Sequence, residues 1–165
     1  MRSKHEQPRR APQVWRKPSH FLAFGFGSGL ARFAPGTWGT VAAIPLYLVM
    51  APLTFWAYLG VTALLFGIGV WLCEVTSRDL GVHDHPGIVW DEIVGYLIAM
   101  AAAPVGWAWM LAGFVLFRLF DIWKPWPIRR LDRQVSGGFG IMVDDVLAGV
   151  YAAVLLALAA WLLGA

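Results

Sequence analysis

The sequence is poor in the residues that build most soluble and secreted proteins. Its 165 residues include a single cysteine, Cys73, which excludes a disulfide framework and a cysteine-based metal site. Charged residues make up 14% of the chain, against about 25% in soluble globular domains. Hydrophobic residues make up 59%, more than a domain of this length can bury in its own core. This composition indicates an integral membrane protein and argues against a nucleic-acid partner.

Several phosphate-handling motifs are also absent. The chain has no Walker loop, no Asp-x-Asp nucleophile motif and no Ser-Gly-His motif of a histidine nucleophile. A cysteine phosphatase needs five residues between its cysteine and its arginine, whereas four residues separate Cys73 from Arg78. If the protein acts on phosphate groups, the remaining mechanism is one in which carboxylates hold a metal ion and the metal ion activates water.

The few charges are unevenly distributed. Six of the thirteen basic residues lie in 1–17 and five more lie in 118–133, while nine of the ten acidic residues lie in 74–145. Basic segments mark the cytosolic side of a membrane protein. The pattern predicts a disordered basic cytosolic tail over 1–18, followed by one membrane-embedded domain over 19–165.

The uncharged runs predict an all-α fold, a polytopic membrane helical bundle with a polar site facing the cytosol. The stretch around Pro104 has two interpretations, a single long crossing or a helical hairpin. We favour the hairpin, because it keeps the basic segment 118–133 on the same side as the basic N-terminus. The predicted helices are 41–59, 60–78, a hairpin of 93–103 and 107–123, and 145–163.

Two acid pairs share one local pattern. Asp91-Glu92 and Asp144-Asp145 each follow an apolar triplet and precede an apolar helix. Acids at a helix start cap the helix and complement its dipole. One acid is enough for that, and a second adds like-charge repulsion in an apolar setting. Magnesium ligation explains both members of each pair, because Mg²⁺ prefers carboxylate oxygens. Both explanations stay open at this point.

A third acid, Asp121, lies three residues after Arg118 and three before Lys124. On a helix these three side chains share one face. They form either a neutral ion-pair network or a metal ligand flanked by two phosphate-binding cations. The nearby basic residues either contact anionic lipid head groups or mark the cytosolic side. They are Arg129, Arg130 and Arg133.

Taken together, these segments resemble the phosphatidylglycerophosphatase A family. The resemblance covers about 20–160, with the motifs in the family's order. The matching motifs are PGTWGT at 35–40, DHPGIVWDEIVG at 84–95, FRLFDIWKPWP at 117–127, GGFGIMVDD at 137–145 and AG at 148–149.

The resemblance implies a Mg²⁺-dependent phosphatase of the bacterial inner membrane. Its substrate would be phosphatidylglycerophosphate, hydrolysed to phosphatidylglycerol and inorganic phosphate in phospholipid synthesis. Membrane lipids would be its other partners.

Chemistry placed on the matched positions then predicts the site residues. The predicted metal ligands are Asp91, Glu92, Asp121, Asp144 and Asp145, with Asp84 as a further candidate. Catalytic roles are predicted for Glu92, Asp121 and Asp145. Phosphate binding is predicted for Arg118 and Lys124, with Thr37 and Thr40 assisting. The hydroxyls of these threonines could instead cap a helix.

A rival hypothesis comes from another class of membrane protein. Carboxylates within a membrane can carry cations or protons, as in a small transporter or an ion-pathway subunit. That function expects the acids deep within the helices. Here every acid from position 79 onward is predicted at a helix end or in a loop, which favours chemistry on a lipid head group.

Overall fold

The computed structural model describes residues 12–164, which fold into helices joined by short loops. That range contains no strand, so the all-α prediction is confirmed. The helices are α1 (Pro18–Ala23), α2 (Pro35–Met50), α3 (Phe55–Leu80), α4 (Trp90–Met100), α5 (Trp107–Trp123), α6 (Ile128–Gln134) and α7 (Gly137–Leu163), with a 3₁₀ segment at Gly25–Leu30. By length and composition, α3 and α7 could each cross a membrane.

The bundle has two chemically different ends. The starts of α2, α4 and α7 meet the ends of α3 and α5 at what we call the polar end. At the opposite end, the loops 51–54 and 101–106 line one small cavity together. We call this the apolar end, because no charged residue occurs in 50–55, 100–107 or 160–164. Charged chemistry is therefore confined to the polar end.

The segment around Pro104 forms a hairpin. A side chain added to Gly95 would collide with Phe117, and one added to Gly113 would collide with Met100. Contacts that pair residue 95 with 117 and residue 100 with 113 belong to two antiparallel helices. The structure thus has two antiparallel helices joined by a turn at 101–106, and no continuous helix across Pro104.

Two glycines bring α4 and α7 unusually close. A Cβ on Gly149 would lie 2.4 Å from the carbonyl oxygen of Gly95, so only glycine fits there. Small residues allow helix backbones in membrane bundles to approach in this way. Glu92 and Asp145 lie about one turn before these glycines along their parallel helices. The contact therefore places the two acid pairs beside each other.

The first two long helices differ from their predicted bounds. Helix α2 begins at Pro35 instead of 41, since proline at a first helical position costs no hydrogen bond. The chain then turns at 51–54 and not near 58–60. Thr54 caps α3 by accepting a hydrogen bond from the Ala57 N–H at 3.4 Å. The predicted boundary between helices 41–59 and 60–78 was wrong, because Gly60 is tolerated within α3.

Helix α7 also begins earlier than predicted, at Gly137 instead of 145. Its first N–H groups find partners in other parts of the chain. The Gly138 N–H donates to Glu74 Oε2 at 2.7 Å, and the Gly137 N–H donates to His83 Nε2 at 3.0 Å. Asp144 and Asp145 therefore lie about two turns inside the helix, away from its start.

The predicted tail, 1–18, has two parts in this structure. Residues 1–11 lie outside the described residues. The remainder differs from the prediction, because Val14 is buried and Pro18 begins α1. Lys17 Nζ lies 2.6 Å from Asp79 Oδ2, and His20 Nε2 lies 3.1 Å from the same oxygen. These contacts attach the segment to the end of α3.

Candidate active site

A cavity of about 240 Å³ opens at the polar end of the bundle. Five parts of the chain supply its walls: the start of α2, the loop before α4, the start of α4, the end of α5 and the third turn of α7. Its lining residues are Ala34, Pro35, Gly36, Asp84, Pro86, Ile88, Asp91, Glu92, Arg118, Asp121, Lys124, Asp144 and Asp145. Most of the predicted site residues thus meet in one place.

Three carboxylates form the centre of this cavity. Asp91, Glu92 and Asp145 each place one oxygen within 4.8 Å of the oxygens of the other two. Asp91 and Asp145 are buried, and the Glu92 side chain is 14% exposed. We call this set the carboxylate triad. It joins both members of the first acid pair to one member of the second.

Arg118 lies on α5 beside this triad. Its Nη1 atom forms an ion pair with Asp121 and lies 3.7 Å from Glu92 Oε1. The predicted pairing of Arg118 with Asp121 on one helix face is therefore present. The arginine lies between two acids that come from different helices.

Lys124 departs from its predicted position. Helix α5 ends at Trp123, and Lys124 follows it with a left-handed backbone (φ 46°), so it leaves the helix face that carries Asp121. Its Nζ atom instead lies 2.6 Å from Asp144 Oδ2 and 2.8 Å from Asp132 Oδ1. Helical spacing could not predict the contact of Lys124 with Asp144, because these two residues meet only through the tertiary fold.

Several buried polar atoms in this cavity lack a hydrogen-bond partner. Within residues 12–164 this holds for one oxygen in each of Asp91, Glu92, Asp144 and Asp145, and for Arg118 Nε. A buried unsatisfied polar group is costly, and a charged one more so. A bound cation would satisfy the four oxygens, and a hydrogen-bond acceptor would satisfy the Arg118 N–H. The cavity is therefore chemically suited to a cation and an anion together.

Burial alters the acidity of the α4 acids. It raises the pKa of Asp91 well above its ordinary value, and the neighbouring charge of Glu92 adds to this. Burial together with the charges of Asp145 and Asp121 raises the pKa of Glu92 to about 8. The raised pKa values mean that these acids hold their protons to higher pH than free carboxyls, and a bound cation would compete with those protons.

The donor set fits a hard divalent cation. All three triad residues offer carboxylate oxygens, which suit Mg²⁺, Mn²⁺ or Ca²⁺ and not a soft metal. Asp144 keeps one unpartnered oxygen beside the triad, although its other oxygen is bound by Lys124. Asp121 lies outside the triad and is paired with Arg118. The predicted ligand roles of Asp121 and Asp144 stay predictions.

The remaining predicted residues fall into two groups. Asp84 lines the cavity, as expected of a further ligand. Thr40 does not: it is fully buried, and its hydroxyl donates to the Gly36 carbonyl of its own helix at 3.0 Å. Thr37 is also absent from the lining. The Thr40 hydroxyl therefore forms a hydrogen bond within α2 in place of the predicted phosphate contact.

Sequence reasoning missed the role of Gly36. A Cβ at this position would lie 2.1 Å from Glu92 Oε1 and 3.0 Å from Arg118 Nη1, so the α2 backbone touches the triad directly. The preceding Ala34 has a left-handed backbone (φ 46°), a strained conformation for a residue with a side chain. The Pro-Gly dipeptide was the only signal at this position, and it indicated a turn.

Comparison with known proteins finds relatives over most of the chain. The family model for phosphatidylglycerophosphatase A matches residues 21–160. The chain is 54% identical to phosphatidylglycerophosphatase A of Escherichia coli over 137 residues, covering 82% of this chain and 80% of that protein. It is 52% identical to the protein of the same name from Haemophilus influenzae over 149 residues, covering 88% and 91%.

A third relative carries a different name. It is a Bacteroides thetaiotaomicron protein provisionally named a phosphatidylinositol-3-phosphatase, 41% identical over 152 residues, covering 87% of this chain and 94% of that protein. No solved structure matches the chain. On the extent of the family match and the identity to two full-length relatives, the chain belongs to the phosphatidylglycerophosphatase A family.

Proposed function

We propose that this protein is a Mg²⁺-dependent phosphatase that hydrolyses phosphatidylglycerophosphate to phosphatidylglycerol and inorganic phosphate. One observation carries the proposal, namely that a single cavity holds four buried unpartnered carboxylate oxygens and one buried unpartnered arginine N–H. A divalent cation and a phosphate oxygen would satisfy both kinds of group. Two named relatives of the same family act on this lipid by name.

The side chains of this protein would position the phosphate. Arg118 is held by Asp121 and Glu92, so its free Nε–H donates to a phosphate oxygen at a fixed place. Lys124 is held by Asp144 and supplies a second positive charge from the opposite wall. Fixed donors of this kind stabilise the charge that develops during phosphoryl transfer without reorganising.

The carboxylate triad would hold Mg²⁺, with Asp144 and Asp84 as neighbouring oxygen donors. When bound, the ion neutralises phosphate charge and makes water a better nucleophile at neutral pH. The triad residues would hold the ion as carboxylates, and its positive charge would offset the repulsion among them. The Gly36 backbone closes the wall beside Glu92 and limits where that carboxylate can turn.

Exposed side chains support a membrane location for the bundle. Large aromatic residues are exposed at both ends of α5, where Trp107 is 76% and Trp123 is 60% exposed. These residues are about 24 Å apart along the helix, close to the thickness of a bilayer's hydrocarbon core. Between them Leu111, Val115 and Leu119 are also exposed. An apolar face bounded by two aromatic belts is typical of a lipid-facing surface.

The charge distribution supports one orientation of the bundle in the membrane. In the described residues the apolar end has no charged side chain, whereas the polar end carries Arg118, Lys124, Arg129 and Arg130. The positive-inside rule then puts the polar end in the cytosol. We therefore place the protein in the bacterial inner membrane as a multi-pass protein, with its cavity open to lipid head groups on the cytosolic side.

The transporter hypothesis fits this structure less well. A cation pathway needs ionisable groups along the depth of the membrane. Beyond Asp145 the described part of α7 has no charged residue, and α4 has none beyond Glu92. The carboxylates thus lie together in one cavity at one end of the bundle.

Phosphate release by the purified protein tests the proposal. We expect release from phosphatidylglycerophosphate in the presence of Mg²⁺ and none in EDTA. Phosphatidylinositol 3-phosphate serves as the competing substrate, because one relative is named for it. Faster release from the inositol lipid would overturn the proposed substrate, while the protein would still be a phosphatase. Absence of release from either lipid, with cation flux in liposomes, would support the transporter instead.

Cysteine labelling tests the orientation. Arg16 is exposed beside the polar end and Val105 is exposed at the apolar end. In a Cys73→Ser background, Arg16→Cys should react only from the cytosolic side and Val105→Cys only from the other side. Labelling of both from one side would contradict the proposed insertion.

A further inference from the structure

A second and larger cavity adjoins the first at the polar end. Its volume is about 510 Å³, and it lies in the segment that joins α5 to α6 and in α6 itself. Its main lining residues are Trp123, Lys124, Trp126, Arg129, Arg130 and Gln134. None of the described residues that line it is acidic, so its potential is positive, unlike that of the first cavity.

Lys124 lines both cavities. Its ammonium group is fixed by Asp144 on one side and by Asp132 on the other, at 2.6 and 2.8 Å. One ligand could therefore extend from the first cavity past Lys124 into the second.

We propose that the second cavity binds the phosphodiester of the lipid substrate, while the first binds its terminal phosphate. This inference rests on the proposed function. Phosphatidylglycerophosphate carries two phosphate groups joined by a glycerol, and the first cavity accounts for only one of them. The second group is an anion with a diacylglycerol attached, so its site needs cations beside an apolar, membrane-level surface.

The second cavity supplies both features. Arg129 and Arg130 are exposed cations, and guanidinium groups suit phosphate oxygens. The Arg129 guanidinium donates to the Trp123 carbonyl at 3.2 Å, which holds it over the cavity and leaves its other N–H groups for a ligand. Trp123 and Trp126 are 60% and 77% exposed, as expected of indoles at a membrane interface.

An anionic membrane surface could attract the same arginines without any specific site. Measurements in neutral detergent distinguish specific binding in the cavity from attraction to a charged membrane, because no charged bilayer is present. The variant is Arg129→Gln/Arg130→Gln. Arg130→Gln alone serves as a second variant, because Arg129 also contacts the Trp123 carbonyl. The matched control is Arg16→Gln, which removes one exposed positive charge near the same end and lines neither cavity.

Binding is measured by calorimetry in EDTA with dihexanoylphosphatidylglycerol, which carries the phosphodiester and lacks the terminal phosphate. We expect the wild type and Arg16→Gln to bind it alike. We expect about tenfold weaker binding by the double variant, as loss of charge-assisted contacts predicts. Dihexanoylphosphatidylcholine should bind more weakly than the anionic lipid, and inorganic phosphate should not displace that lipid. Displacement by inorganic phosphate would overturn the assignment, because the cavity would then be a general anion site.

Kinetics give an independent readout. For phosphatidylglycerophosphate the double variant should raise KM about tenfold and change kcat less than twofold, since the arginines bind a group that does not react. Unchanged lipid binding in an active double variant would overturn the second-cavity assignment alone. A wild type that binds phosphatidylglycerol through these arginines yet hydrolyses no phosphatidylglycerophosphate would contradict the proposed function and confirm the cavity's ligand.

Discussion

The two acid pairs have the same local sequence pattern and different positions in the fold. Asp91 and Glu92 lie in the first turn of α4, where they face the helix dipole favourably. Asp144 and Asp145 follow Gly137, the first residue of α7, by seven and eight positions. The dipole effect fades within the first turn of a helix. Capping can therefore explain the first pair, and it cannot explain the second.

The cap of α7 is supplied from elsewhere. Glu74 accepts from the Gly138 N–H, so the start of this helix already has its acid. Asp144 is compensated by Lys124, whereas Asp145 has a buried unpartnered oxygen and no cation among residues 12–164 within ion-pair distance. From this comparison we propose that Asp145 binds a ligand, whereas Glu74 stabilises the start of α7. The variants below test this division.

The largest effect is expected for Asp145→Asn. Removing one triad carboxylate weakens the Mg²⁺ site, and phosphate release should fall by at least about 100-fold. We expect Asp121→Asn to be impaired as well, because it frees Arg118 from its fixed position. Release of phosphate from the lipid substrate is the measurement, with circular dichroism to show that the helices persist. Full activity in both variants would refute the site assignment.

A smaller loss is expected for Gly36→Ala. The added methyl group would displace Glu92, the member of the first pair that α2 touches, so activity should fall by about tenfold. Gly67→Ala is the matched control, since nothing lies within 4 Å of a Cβ there. That control should keep full activity and gain up to about 1 kcal/mol in the free energy of unfolding, because it replaces a helical glycine. Equal activities of the two variants would show that the α2 backbone is not part of the site.

For Glu74→Ala we expect a loss of stability without a loss of activity. Loss of the α7 cap should lower the free energy of unfolding, measured by denaturant titration in detergent. Activity at saturating Mg²⁺ should stay near that of the wild type. If Glu74→Ala instead abolished the response to Mg²⁺, the division between capping and ligand acids would be wrong.

The smallest effect is expected for Thr40→Val. Its hydroxyl bonds within α2, so the change should alter phosphate release by less than about twofold and leave KM unchanged. A large rise in KM would restore the phosphate contact that the sequence predicted for this threonine.

Much of this picture could be predicted from the sequence, because long apolar runs and acid pairs are strong local signals. The hairpin around Pro104 and the meeting of Asp91, Glu92 and Asp145 both followed from the requirement that charged segments share one side. The true start of α7 could not be predicted, since its cap comes from Glu74 and His83, far along the chain.

Other features of the structure have no signal in the local sequence. The left-handed backbones of Ala34 and Lys124 have no sequence signature, because neither is a residue type that favours this conformation. The pairing of Lys124 with Asp144 spans 20 positions and depends on how α5 and α7 pack. The contact of Gly36 with Glu92 depends likewise on the packing of α2 against α4.

The central claim is that buried carboxylates from α4 and α7 together hold one divalent cation site. Mn²⁺ binding to the purified protein, followed by the loss of the free-ion signal in electron paramagnetic resonance, tests it most directly. We expect the wild type and Glu74→Ala to bind Mn²⁺, Mg²⁺ to displace it, and Asp145→Asn to lose at least about tenfold in affinity. Undiminished Mn²⁺ binding by Asp145→Asn would contradict the claim.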